Sequence, residues 1–326
     1  MPLRRTTVLS AALGAALTAA VMLLGTSVPS VAERARPPQK DGGAENLGQP
    51  DYGVCRGTDP DCYHDWGNFD PTTDGYRVLV YSRTAGPRHA HLGPALAPGL
   101  NPPLTPQHAA QSALVRLGAE HDFAVDWTED VTQLSSPSRL FRYNAVIFMS
   151  TTRDTLDDAA QTALRQYVRG GGGFVGVHNA FGTEYNWEWY EGLLGGANYY
   201  DHGRNQPGTV VTTNRRDVST TGLPTRWDFA DEWYNLVPFP SQVRVLAKVD
   251  ESTLPEGPQG GSGHPGHGAN HPVSWCQYYD GGRSWVTTLG HAVEAWTEAQ
   301  MTGDRYFLDH VLGGIESAMG RGPFCR

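Results

Sequence analysis

Beyond its N-terminal segment the chain has no apolar run long enough to cross a bilayer, and it has little positive charge. Its 25 lysine and arginine residues are outnumbered by 34 aspartate and glutamate residues, which gives a formal net charge of −9. Phosphate backbones and anionic lipid surfaces repel such a chain. The composition therefore argues against nucleic acid and membrane surfaces as partners and leaves neutral ligands such as sugars.

Cysteine is also scarce, and the four residues do not have the spacing of a zinc ribbon. No HExxH pair and no internal repeat occurs either. An even number of cysteines favours disulfides if the chain is exported, which the N-terminal residues described next predict. We predict Cys55–Cys62 and Cys276–Cys325, with free thiols as the alternative.

The first residues are typical of a secretory signal peptide. Arg4 and Arg5 precede an uncharged run rich in alanine and leucine, and Ser30-Val31-Ala32 is a small-x-small cleavage motif. We therefore predict a secreted protein with residues 1–32 removed and no membrane association afterwards. The alternative is a retained membrane anchor.

The remaining chain divides into three segments by composition. Residues 33–50 are rich in Pro, Gly, Lys and Glu, which predicts a disordered linker. Residues 51–74 carry the first cysteine pair and predict a small flap. Residues 75–326 predict one α/β domain.

The first half of that domain alternates between strand and helix patterns. Apolar runs at 76–82, 123–127, 145–149 and 174–177 predict strands, and residues 106–120 and 157–168 have helical spacing. Short connections between them imply parallel pairing with right-handed crossovers. The second half predicts strands at 210–212, 244–249, 273–278 and 284–288 and a closing helix at 304–319. We expect a doubly wound, mainly parallel sheet that these later strands extend.

Polar residues follow several predicted strands. They include His89, Thr152, His178 and His291. Because ligands of open parallel sheets bind beyond the carboxyl ends of the strands, we expect these side chains to share one rim. His178 stands where a nucleophile elbow would place Ser or Cys, and imidazole there can act as base, ligand or structural hydrogen-bonding group.

Carboxylates and aromatic rings cluster in two further stretches. The first contains Glu184, Trp187 and Trp189, and the second is Asp231-Glu232-Trp233-Tyr234. Glu184 and Glu232 are candidate acid and base for glycosidic cleavage. The tryptophans are candidate platforms for sugar rings, with packing in a lid or core as the alternative.

Histidine is abundant, with 12 residues, three of them in the Gly-rich stretch that ends at His271. His271 is a better candidate for a functional residue than His264 or His267, because it leads into a predicted strand whereas a Gly-rich loop positions ligands poorly. A divalent metal site is one option, built from His178, His202, His271 or His291 with Glu184 or Glu232. No cofactor is strictly required.

Several of these motifs occur in an order that resembles the ThuA-like (trehalose utilisation) family over roughly residues 76–320. They are Thr84-Ala85-Gly86, Gly171-Gly172-Gly173-Phe174-Val175-Gly176-Val177-His178, Asp231-Glu232-Trp233-Tyr234, His271-Pro272-Val273-Ser274-Trp275-Cys276 and Leu289-Gly290-His291. The resemblance implies a class I glutamine amidotransferase-like, flavodoxin-like fold. It also implies a role in carbohydrate use.

Three hypotheses follow for function. The first is a sugar hydrolase-like enzyme in which His178, Glu184 and Glu232 carry out catalysis. The residues predicted to bind its substrate are His89, Thr152, Trp187, Trp189, His202, Asp231, Trp233, His271 and His291. The second is a non-catalytic sugar-binding protein, and the third is a metal-dependent hydrolase. A Cys-dependent glutaminase is disfavoured because Cys276 lies inside a predicted strand. The sequence does not give the oligomeric state.

Overall fold

The computed structural model describes residues 51–70, 75–297 and 305–326. The predicted signal peptide and linker lie outside these residues. Within the described ranges, no helix has the length and apolar character needed to cross a membrane.

The described residues contain twelve strands and six α-helices, numbered here in chain order. The strands are β1 Arg56–Gly57, β2 Tyr76–Tyr81, β3 Phe123–Thr128, β4 Ala145–Met149, β5 Gly173–Val177, β6 Tyr199–His202, β7 Gln206–Thr212, β8 Arg226–Asp231, β9 Tyr234–Leu236, β10 Arg244–Asp250, β11 His271–Tyr279 and β12 Gly282–Thr287. The helices are α1 Ala109–Glu120, α2 Pro137–Leu140, α3 Asp158–Arg169, α4 Glu188–Leu193, α5 Val218–Thr221 and α6 Tyr306–Ala318.

The main sheet is mixed, with strand order β3-β2-β4-β5-β12-β11-β10-β7-β8. The first five strands are parallel, and β12, β11, β10, β7 and β8 pair antiparallel in succession. The predicted α/β class and the extension by later strands are confirmed. Of the later strands, β12 pairs parallel with β5, whereas β11, β10, β7 and β8 continue the sheet in antiparallel pairs. Strands β6 and β9 form a separate two-stranded sheet.

Strand β4 shows why the core has two layers around the sheet. All of its residues are buried. Because side chains point alternately to the two faces of a sheet, both faces must be covered. Val146 and Phe148 pack with α3 residues, whereas Ile147 and Met149 belong to the cluster that contains α1 and α6 residues. Helices therefore cover both faces of the parallel half, as continuous apolar strands predict.

Helix α3 begins and ends where its sequence indicates. The Asp157 carboxylate accepts the Ala160 N–H at 2.8 Å, which caps the first turn. Ala160, Ala163, Leu164 and Tyr167 are buried at helical spacing. The glycines after Arg169 then end the helix and lead into β5.

Both predicted disulfides are present. Cys55–Cys62 closes a short loop beside β1, which pairs with the end of β11. Cys276–Cys325 joins β11 to the penultimate residue of the chain. Cys276 is therefore oxidised and buried, which agrees with the argument against a thiolate glutaminase.

Candidate functional site

Four loops at the carboxyl ends of strands bring three histidines and one glutamate together. His89 follows β2, His178 follows β5, Glu232 follows β8 and His291 follows β12. One ligand atom from each lies within 4.8 Å of every other. We call these four residues the histidine–glutamate cluster. It is the rim that the strand-end pattern predicts.

His178 directly follows β5 and is the first residue of a short 3₁₀ helix, His178–Gly182. Its backbone φ is +52°, in the left-handed region that is strained for a non-glycine residue. Its Nδ1 lies 2.8 Å from the Thr288 carbonyl, so Nδ1 carries the proton and Nε2 keeps a lone pair. Nε2 is 3.1 Å from His89 Nε2 and 3.0 Å from the Tyr234 hydroxyl. The imidazole therefore presents a lone pair to the cluster.

Burial holds the pKa of His178 well below its ordinary value, and the neighbouring histidines lower it further. Burial likewise lowers the pKa of His89 to about 4, with His291 adding to the effect. Both rings are neutral near pH 7. His89 Nδ1 is buried and has no hydrogen-bond partner among the described residues.

Glu232 and His291 form an ion pair, with 2.9 Å between Glu232 Oε2 and His291 Nδ1. Burial alone would raise the pKa of Glu232, but the His291 side chain brings it below its ordinary value. Burial alone would lower the pKa of His291, but Glu232 raises it. The same carboxylate oxygen is 3.5 Å from His202 Nε2 and 3.9 Å from His178 Nε2.

Asp231 holds two loops of the cluster in place without entering it. Its fully buried carboxylate accepts the N–H groups of Glu232 at 2.8 Å, Gly290 at 2.7 Å and His291 at 3.3 Å. Burial raises the pKa of Asp231 to about 7. This predicted substrate-binding residue is therefore a positioning residue. It joins the end of β8 to the loop after β12.

These residues fit a divalent transition metal. Imidazole nitrogens with one carboxylate suit zinc, manganese, iron and related ions. The Thr288 carbonyl fixes the tautomer of His178, as carbonyls commonly do for metal-bound histidines. The 3.1 Å approach of two neutral imidazole Nε2 atoms is also a contact that a shared cation would use.

A cavity of about 400 Å³ opens beside the cluster. It is lined by Pro87, His89, Thr152, Arg153, Asn179, Gly182, Tyr185, Tyr199, His202, Glu232 and Tyr234. We call it the site cavity. Its tyrosines combine aromatic faces with polar tips, a combination that suits amphipathic ligands. His202 and Thr152 are the other predicted residues on its wall, and the Thr152 hydroxyl accepts the Gly86 N–H at 3.0 Å.

Glu184, predicted as a catalytic carboxylate, lies outside the cluster. Its Oε1 accepts the N–H groups of Thr155 at 2.7 Å and Leu156 at 2.9 Å, and its Oε2 accepts from Gln161 at 2.7 Å. It is buried, and burial raises its pKa. One carboxylate oxygen is engaged by the loop before α3 and the other by Gln161 of α3 itself, which indicates a structural role.

The three predicted tryptophan platforms do not line the site cavity. Trp189 is buried and donates to Asp280 at 2.8 Å, and Trp187 stacks on it. Trp233 is buried and donates to the Gln206 carbonyl at 3.1 Å. The cavity uses Tyr185, Tyr199 and Tyr234 instead. Aromatic density in the sequence locates the region, but it does not reveal which rings face the ligand.

His271, predicted to bind substrate, lies one layer behind the cavity. Its Nδ1 is 2.6 Å from Glu251 Oε1, and its Nε2 is 3.0 Å from the Tyr234 carbonyl. Burial would raise the pKa of Glu251, but bonds from His271 and backbone N–H groups lower it. His271 therefore supports the strand that carries Tyr234.

Comparison with known proteins assigns the family. The family model ThuA, described as trehalose utilisation, matches residues 77–318. A ThuA-like protein from Bacteroides uniformis ATCC 8492 is similar in structure, with TM-score 0.55 and 22% identity over 74% of this chain and 91% of that chain. One from Parabacteroides merdae ATCC 43184 has TM-score 0.55 and 17% identity over 75% and 90%.

At such identities the structural likeness shows the fold alone. A search of curated proteins gives no significant match. The family match, by contrast, spans most of the chain and includes every residue of the histidine–glutamate cluster. The chain therefore belongs to the ThuA family.

Proposed function

We propose that this chain is a secreted, metal-dependent enzyme of carbohydrate utilisation, with a hydrolase-like reaction centred on the histidine–glutamate cluster. The observation that carries the proposal is the convergence of three imidazoles and one carboxylate within 4.8 Å at the rim of the sheet. His178 contributes a lone pair of fixed direction, because its other nitrogen is committed to Thr288.

A glycosidase with two catalytic carboxylates is less well supported. That mechanism needs two carboxyl groups facing the scissile bond. Glu232 faces the cavity, but the Glu184 carboxylate is engaged by two backbone N–H groups and Gln161. One available carboxylate among several histidines favours a metal centre.

Each residue of the centre has a distinct task in this proposal. His89, His178, His291 and Glu232 hold the cation, which when bound supplies Lewis acidity toward a substrate oxygen. The Tyr234 hydroxyl stays protonated, because burial raises its pKa, and it donates a hydrogen bond at the cavity floor. His202 stands at the wall, where its side chain is 30% exposed and its Nε2 lies 3.5 Å from Glu232 Oε2.

The carbohydrate assignment combines the family with the cavity. The family is described by trehalose utilisation, and the site cavity offers tyrosine faces with the polar Asn179 and Thr152. Such surfaces suit sugar rings, which have apolar faces and polar edges. The predicted signal peptide and both disulfides support a location outside the cytoplasm.

The proposal predicts about one equivalent of a transition metal per chain, measured by elemental analysis after purification without chelators. His178→Ala should lower metal content and abolish turnover of trehalose, other disaccharides or their 3-keto forms. His121→Ala, at the end of α1 and outside the cluster, should retain both.

Equal turnover by wild type and His178→Ala would refute the assigned centre. Metal-free protein with full turnover would refute the metal. Sugar binding by calorimetry without any product in mass spectrometry would instead indicate an accessory sugar-binding protein.

A further inference from the structure

Arg153 occupies an unusual backbone position at the mouth of the site cavity. Its φ is +58°, in the left-handed region. The turn is held firmly: the Arg153 N–H donates to the Gly182 carbonyl at 2.7 Å, and its carbonyl accepts the Glu184 N–H at 3.2 Å. Strained conformations of non-glycine residues concentrate at functional sites, where they fix the direction of a side chain.

The side chain of Arg153 lies across Gly86 and lines the cavity. A Cβ at Gly86 would come within 2.9 Å of Arg153 Cδ and Nε, so the glycine makes room for it. The guanidinium forms no hydrogen bond or ion pair with any described residue. Arg153 is exposed, so its guanidinium is a positive charge whose donors remain available to a ligand.

Arg88, on the same rim, shows the contrast. Its guanidinium donates to Glu129 at 2.6 Å and to the carbonyls of Leu92, Gly93 and Pro94. Those contacts commit it to the loop. Arg153 has no such partner among the described residues, so its guanidinium is not committed to holding a loop.

The charge around Arg153 favours an anion. Among the described residues that line the cavity, Glu232 is the one carboxylate, and it lies 2.9 Å from His291. A cation held by the cluster would make the cavity more positive. An anionic group on the substrate would therefore meet an unpaired guanidinium in a cavity whose one lining carboxylate is already paired with His291.

We propose that Arg153 selects sugars that bear a carboxylate, so that the preferred substrates are uronic acids or their glycosides. The inference rests on the proposed function and names its substrate class. A planar guanidinium matches a carboxylate with two parallel hydrogen bonds. Phosphate sites usually add a helix N-terminus or further cations. Arg153 alone fits the carboxylate better.

The test is calorimetric titration of the metal-loaded protein at pH 7 with matched pairs. The methyl glycosides of glucuronate, galacturonate and mannuronate are each compared with the neutral hexoside, and glucose 6-phosphate is added as a phosphate probe. We expect at least one uronate to bind about ten-fold or more tightly than its neutral partner, as a charge-assisted hydrogen-bonded pair would give.

Arg153→Met should bring that ratio close to one, and Arg153→Lys should keep part of it. Arg116→Met, on α1 and outside the cavity lining, with a side chain 38% exposed, is the control and should leave the ratio unchanged. Thermal melts of all variants establish that each is folded.

The proposal is overturned if no uronate binds more tightly than its neutral partner, if the preference survives in Arg153→Met, or if glucose 6-phosphate binds more tightly than every uronate. These outcomes are separate from the test of function. Metal-dependent turnover of neutral sugars without a uronate preference would remove only the role of Arg153. A preference without metal or turnover would remove only the proposed enzyme.

Discussion

Four non-glycine residues with left-handed backbones lie in the loops that follow β4 and β5. They are Ser150, Arg153, His178 and Glu184, with φ between +46° and +58°. Two of them, Arg153 and His178, point functional groups toward the site cavity or the cluster, and Glu184 fastens the loop between them. Backbone strain at these loops therefore coincides with residues whose side-chain direction matters for the site.

Glu184→Gln separates a structural role from a catalytic one. A glutamine keeps one acceptor for the backbone N–H groups of Thr155 and Leu156 but presents an amide to Gln161. We expect the free energy of unfolding, measured in urea, to fall by about 1–3 kcal/mol while kcat stays within about two-fold. A loss of kcat beyond about a hundred-fold with unchanged stability would restore Glu184 as a catalyst.

His310 makes stability depend on pH. It is fully buried, its Nδ1 lies 2.8 Å from the Ser219 carbonyl, and burial lowers its pKa to about 4. The unfolded chain, with an ordinary value of 6.5, takes up the proton first. The contribution of His310 is thus complete above pH 6.5 and is lost as pH falls toward 4, by about 3 kcal/mol.

His310→Asn removes the titrating group and keeps a donor for Ser219. Urea unfolding at several values between pH 7 and pH 4 should show a shallower decline for this variant than for wild type. Parallel declines would contradict the assignment.

At the scale of elements, the sequence predicted those whose apolar pattern is continuous. Strands β2 to β5 and helices α1, α3 and α6 lie close to their predicted ranges. Strand β8 was missed, because its inward residues Trp227 and Phe229 are followed by the buried Asp231, which interrupts the apolar alternation. The short β6 and β9 consist largely of Tyr, Asn, Asp and His, which carry little strand signal.

The same reasoning explains what could be predicted of the site. The rule that ligands bind at the carboxyl ends of strands located His89, His178 and His291 correctly on one rim. It could not tell that Glu184 turns away from them, because that depends on backbone N–H groups of residues 155 and 156. Nor could the sequence show that tyrosines rather than tryptophans line the cavity. Loop residues have no regular spacing that would separate the rings facing the cavity from the rings that are buried.

The substitution Gly314→Ala tests the close contact between α6 and β12. A Cβ there would lie 2.4 Å from ring atoms of the buried Trp285. We expect Gly314→Ala to destabilise the protein by about 1–3 kcal/mol through overpacking, despite the better helix propensity of alanine. Gly222→Ala is the control, because nothing lies within 4 Å and its φ of −86° suits alanine. Equal effects of the two changes in urea unfolding would contradict this packing.

At the scale of the whole molecule, two disulfides hold the beginning and the end of the described chain. Cys55–Cys62 lies next to β1, and Cys276–Cys325 fastens the C-terminus to β11 in the centre of the sheet. Oxidised pairs of this kind agree with the predicted export. A disulfide also reduces the conformational entropy of the unfolded chain, and this effect grows with the length of the loop that the disulfide closes.

The C-terminal disulfide should matter more than the N-terminal one. Its cysteines are 49 residues apart, against seven for Cys55 and Cys62. Replacing Cys276 and Cys325 by alanine should lower the free energy of unfolding by about 2–4 kcal/mol. Replacing Cys55 and Cys62 should cost less. The reverse order, measured by thermal or urea unfolding under oxidising conditions, would contradict the prediction.

The distribution of the histidine–glutamate cluster over four distant loops also bears on the order of events during maturation. No two of its members are near neighbours in sequence, so the ligands of the cluster form no chelating pair with one another in a growing or half-folded chain. In the proposed enzyme, folding must therefore precede metal capture by the cluster. The cluster gains its affinity for the metal only when Glu232, just after β8, meets His291 in the loop after β12. The ion acquired is then set by the compartment in which folding finishes. Export before folding would shield the protein from cytoplasmic metals that bind such ligands more tightly.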